Sequence, residues 1–143
     1  MTAETIQLLL RIAGIGHFAL VVACLILPRL LNWKAETAKL GPLTREIFWT
    51  YASYIFVTNA SFGALACFAP QWLTDGSGLA AAVSAFIALW WGARIVIQFT
   101  YYERKAAPQG PFFVFAEVAI VLGFVFFTAA FGLACWFNLG GRP

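Results

Sequence analysis

Residues 112–139 read FFVFAEVAIVLGFVFFTAAFGLACWFNL and carry a single charge, Glu117. A helix needs about 20 mainly apolar residues to cross the hydrocarbon core of a bilayer. At 1.5 Å per residue this stretch would extend about 42 Å, so it tilts or its last turns emerge into the interface. Working outward, three more stretches of the same kind precede it: Ile6–Leu27, Ile47–Phe68 and Leu79–Phe99. None alternates apolar and polar residues between turns, which argues against a β-barrel. Helices satisfy their own backbone groups, and lipid cannot do that for them.

Composition agrees. Of 143 residues, 62% are hydrophobic and 10% charged, with a mean hydropathy of +0.84. A soluble domain carries about 25% charged residues. This chain has too few to cover a water-facing surface, and its basic residues are too scattered to track phosphates, so a nucleic-acid binder is excluded. The expected fold is all-α: a single domain over residues 1–143, with four transmembrane helices in an up-and-down bundle. No small-residue cleavage site follows the first stretch, because Pro28-Arg29-Leu30-Leu31 comes next, so it reads as a true span.

Charge places the ends. Six of the nine Lys and Arg residues lie in connections 28–45 and 100–111, while the connection 69–78 has none and carries Asp75. The positive-inside rule then puts 28–45 and 100–111 in the cytoplasm and both termini outside, in a bacterial inner membrane. Within the first connection Leu30, Trp33 and Leu40 share a helical face, with Thr37 as its polar exception. This predicts a short amphipathic helix in the cytoplasmic interface, stopped by Gly41-Pro42, which reads first as an ordinary linker. Asp75-Gly76-Ser77-Gly78 reads as a tight turn.

The chemistry rests on the few polar groups within the spans. Charges there cost roughly 2.5–3.5 kcal/mol on insertion scales, so each needs a reason. Arg94 and Glu117 lie at matching depths on consecutive helices, and the expectation is an intramembrane ion pair whose rupture costs about 3–5 kcal/mol. The plain role of such a pair is to lock two helices together. The functional alternative is a proton or polar-ligand site, to which Trp91 and Gln98 belong because they share a helical face with Arg94. His17 sits in mid-span, as a hydrogen-bonded histidine or as a ligand to a cofactor such as heme or a pigment. Asn59 and Tyr54 join it as candidates, on a polar stripe of Glu46, Thr50, Tyr54, Thr58 and Ser61 that is expected to face other helices. Gly123 and Gly132 read as sites of close helix approach. Arg11 lies near enough to the end of its span to snorkel.

Arg11-x-x-Gly14-x-x-His17 resembles the first helix of small four-helix bacterial membrane proteins of the DoxX type. The likeness covers one helix and brings no functional residue with it. Metal-spaced Cys/His clusters, a P-loop and a nucleophile elbow are missing from the sequence, and Cys24, Cys67 and Cys135 form no C-x-x-C pair. The function expected from the residues is a non-enzymatic accessory or structural subunit of a homo-oligomer or larger membrane complex, with bound lipid, quinone or pigment and no cofactor required. The alternatives are a small membrane enzyme or electron-transfer partner using His17 and the Arg94/Glu117 region, and an oligomeric channel or carrier.

Overall fold

Local signals set the helix ends. Thr2 caps α1 (Ala3–Leu30), its hydroxyl accepting from the Thr5 amide at 3.3 Å. Asn32 takes a left-handed conformation, φ 50°, and turns the chain into the six-residue α2 (Trp33–Ala38). Proline occupies the first turn of α3 (Pro42–Phe68), of the 3-10 turn Pro70–Leu73, and of α5 (Pro111–Asn138), where its missing N–H costs nothing. Ser77 caps α4 (Gly78–Thr100) by accepting from the Ala80 amide at 3.0 Å. The computed structural model describes residues 1–101 and 110–141. Arg104 and Lys105, the two basic residues of connection 100–111, lie outside them, as do Tyr102 and Arg142.

The described residues are helical and contain no strand, and four of their helices are long and apolar enough to span a membrane. They run up and down. Gly14 and His17 of α1 meet Cys67 and Gly63 of α3, and Gln98 and Trp91 of α4 meet Glu117 and Phe124 of α5, so each pair is antiparallel. Two hairpins, α1/α3 and α4/α5, join through α1 and α5, where Gly16 packs on Phe127. The core follows helical spacing. Ile6, Leu10, Ala13 and His17 line α1, and Phe124, Phe127, Phe131 and Ala134 line α5.

Two expectations about packing change. Close backbone approach falls at Gly14 and Gly63, not at Gly123 or Gly132, whose flanks are open or meet only a distant ring carbon. A glycine in an apolar helix marks close approach only where it faces a neighbour, and sequence does not reveal that facing. On α2 the polar exception Thr37 is the buried residue, while Leu30 and Leu40 are exposed. Its hydroxyl donates to the Trp33 carbonyl at 2.7 Å, so it needs no outside partner.

The end of the bundle far from α2 is tied by side chains. Asn138 Nδ2 donates to the carbonyls of Leu73 and Ala134, both at 2.8 Å. Its Oδ1 accepts from the Gly76 amide at 2.9 Å, and Gln7 Nε2 donates to Thr74 Oγ1 at 2.9 Å. Asp75 closes the turn by accepting from the Ser77 amide at 2.8 Å. Hydrogen bonds from the Ser77 side chain, then its backbone, hold the Asp75 carboxyl below its ordinary value. That contribution is present at neutral pH and is lost as pH falls through the lowered value. Asn138→Leu strands the Gly76 amide and frees the turn from α5. The expected loss is about 1–3 kcal/mol in a detergent unfolding titration, with raised hydrogen exchange confined to residues 70–78.

Candidate functional site

His17 is the polar centre of the interior, with 0% of its surface exposed. Its position follows from its neighbours on α1. Ala13 and Gly14, one turn earlier, are small, and the glycine lets α3 come close. Nδ1 lies 2.7 Å from the Ala13 carbonyl oxygen. Trp91 Nε1–H donates to Nε2 across the bundle at 3.0 Å. An indole only donates, so Nε2 accepts, Nδ1 carries the proton, and the imidazole is neutral. Both nitrogens are engaged, which leaves neither as a ligand for a metal or pigment in this arrangement.

The ring is also enclosed. Phe127 lies 4.2 Å from it centroid to centroid, with Trp91 at 5.2 Å, Phe131 at 5.8 Å and Phe62 at 6.0 Å. Trp91 stacks on Phe124 at 5.0 Å. The adjacent tryptophans separate: Trp91 is buried, while Trp90 is 39% exposed and packs on Phe62 and Phe86. His17 and Trp91, grouped apart in the sequence, therefore form one unit that ties α1 to α4.

Two other buried polar atoms have no partner among the described residues: Asn59 Oδ1 and Ser84 Oγ. Asn59 sits beside the Cys24 thiol, near enough to Arg94 for that charge to act on the sulfur. Tyr54 points away from this region and is 64% exposed, so the structure parts it from His17 and Asn59. A buried hydroxyl without a partner is destabilising. Ser84→Ala should therefore leave stability unchanged or raise it by up to about 1 kcal/mol in thermal unfolding. A clear drop would show that the hydroxyl is satisfied and needed.

Arg94, Gln98 and Glu117 occupy the α2 end of the α4/α5 seam. Gln98 Nε2 donates to Glu117 Oε1 at 3.4 Å. The Arg94 guanidinium lies over the Phe124 ring, 5.8 Å from its centroid. Arg94 and Glu117 each make further contacts besides these. The helix register explains the arrangement. Gln98 faces Glu117, which puts Arg94 one turn, about 6 Å, further along. Trp91 does belong with this face of α4, but it turns its N–H to His17.

The α3 stripe also lies elsewhere than expected. Glu46, Thr50, Tyr54 and Ser61 face outward, and only Thr58 is partly covered. Thr50 donates to the Glu46 carbonyl and Ser61 to the Val57 carbonyl, both at 2.9 Å. These bonds use the hydroxyl donors within α3 and leave the oxygens able to accept from a neighbour. Among the described residues no group of three metal-ligating side chains gathers. Comparison of the chain with protein-family models, with curated proteins and with solved structures finds no match.

Proposed function

We propose that this chain is a non-enzymatic subunit of a membrane assembly, with its four long helices spanning the bilayer and its α2 end in the cytoplasm. The observation that carries the reading is the outward polar face of α3. Glu46, Thr50 and Tyr54, four residues apart, and Ser61, seven further on, are exposed on the side of α3 turned away from the bundle core. A polar stripe on a span normally meets protein rather than lipid. The partner is a second copy of the chain or another membrane subunit. The interior supports the same reading. His17 and Trp91 satisfy one another within a shell of phenylalanines, which is how a structural polar lock is built. Basic connections at the α2 end support that orientation, and an inner membrane of bacterial type suits a chain of this kind.

Site-directed cross-linking tests it. Cys24, Cys67 and Cys135 are first replaced by alanine. A single cysteine is then placed at Tyr54 or Ser61, or at Leu122 on the exposed side of α5. In native membranes the α3 positions should give a discrete cross-linked species and Leu122 should not. Equal, diffuse reaction at all three positions would overturn the assignment of α3 as the interface.

A further inference from the structure

We propose that the α2 end of the α1/α3 hairpin binds one anionic phospholipid, with an acyl chain in an apolar groove and its phosphate between Lys34 and Arg45. The inference rests on the membrane reading above and adds a specific ligand to it.

Two adjoining cavities carry it. The first, about 660 Å³, runs between the last turns of α1 and the first half of α3, along Leu25, Phe48, Ile55 and Phe56. That volume falls in the range of small-molecule sites. The second, about 440 Å³, is bounded by Lys34, Thr37, Ala38, Arg45 and Trp49. Trp49 lines both, so the apolar slot and the basic basin adjoin at its side chain. Trp33 packs edge-on against Phe48 and Trp49, at 5.2 and 6.4 Å, and stiffens the rim between them.

Charge complementarity selects the occupant. Four basic residues lie between positions 28 and 46: Arg29, Lys34, Lys39 and Arg45. Lys39 is held by Glu36, both of whose carboxylate oxygens lie 2.8 Å from its Nζ. The other three line the two cavities. Arg29 lines the slot, and Lys34 and Arg45 both line the basin. The side chains of Lys34 and Arg45 make no hydrogen bond or ion pair among the described residues. Glu46, next to Arg45, is on the outward side of α3. An apolar slot that ends in an aromatic rim and unneutralised cations matches a phosphate headgroup with an attached chain. A free anion would leave the slot unused, and a zwitterionic lipid would set its own cation among three others.

The test uses the full chain in mild detergent and in liposomes. By native mass spectrometry with equal phosphatidylglycerol and phosphatidylcholine, one phosphatidylglycerol should be retained per chain. Near an anionic surface each cation is worth about fivefold in binding, so the K34Q/R45Q variant should lose about 25-fold. Phosphatidylglycerol brominated on its acyl chains should quench the emission of Trp33 and Trp49, which both line the slot, and W33F/W49F should remove most of that quenching. Equal retention of the two lipids, or an unchanged K34Q/R45Q variant, would overturn the site. Full displacement by millimolar inorganic phosphate would also overturn it, by showing a free-anion site. These failures differ from failure of the membrane reading, in which the chain would not enter liposomes of either composition.

Discussion

In the His17→Ala variant, unfolding in detergent shifts by about 3–5 kcal/mol toward the unfolded state, as for other large buried rings cut to alanine. Two losses contribute, and their sizes differ. The Trp91–His17 hydrogen bond, at 3.0 Å, is worth about 0.6–1.7 kcal/mol on the scale of interhelical bonds in membranes. The cavity left among Phe62, Trp91, Phe127 and Phe131 costs more than the bond. His17→Phe should therefore recover most of the loss, keeping only about 1–2 kcal/mol for the stranded Trp91 N–H. Trp91→Phe strands His17 Nε2 instead, and the His17→Phe, Trp91→Phe double variant should cost less than the sum of the singles. A hydrogen-bonded structural lock requires this pattern. A catalytic or cofactor-holding histidine predicts the reverse: a well-folded His17→Phe protein that has lost its activity or its chromophore. Equal damage from alanine and phenylalanine at position 17 would show that packing is not what His17 chiefly supplies.

The second large effect is at Gly14. A Cβ there would lie 2.5 Å from Cys67 Sγ, 2.9 Å from the Cys67 amide nitrogen and 3.0 Å from the Gly63 carbonyl oxygen. Two of these three atoms are backbone, so side-chain repacking cannot relieve the clash. Gly14→Ala should cost about 1–3 kcal/mol, and Gly14→Val more, by forcing α1 and α3 apart. Removing the sulfur as well, in Gly14→Ala with Cys67→Ala, should return only part of the loss. Gly132→Ala is the control with the opposite sign. Nothing lies within 4 Å of the added Cβ, and alanine is favoured over glycine within a helix by about 1 kcal/mol. Thermal unfolding with circular dichroism would show Gly14→Ala lower and Gly132→Ala equal or higher. The same sign at both positions would mean that helix propensity, not interhelical approach, governs these glycines.

The cluster that these variants probe is legible in the sequence in parts but not as a whole. His17 stands out because one histidine in a long apolar run has to be satisfied. Its partner does not, because Trp91 lies 74 positions away on another helix. Spacing within α4 places Trp91 with Arg94 and Gln98, correctly for the backbone, yet its indole N–H turns the other way along the bundle. Gln98 reaches Glu117 across the α4/α5 seam, a contact that spacing within one helix does not reveal. The outward face of α3 is hidden from the sequence, because hydroxyls that bond to their own helix carry the same letters as those that bond across an interface.

Helix number, length and order follow from local physics. Long apolar runs, proline and glycine at their borders, and capping Thr2 and Ser77 act within a few residues, so reading along the chain recovers them. Facing, register and burial do not follow in that way. Which glycine touches backbone, which tryptophan meets the histidine and which polar stripe stays outside depend on rotations of each helix about its axis. Those rotations minimise the energy of the packed bundle as a whole, through contacts between residues far apart in the chain.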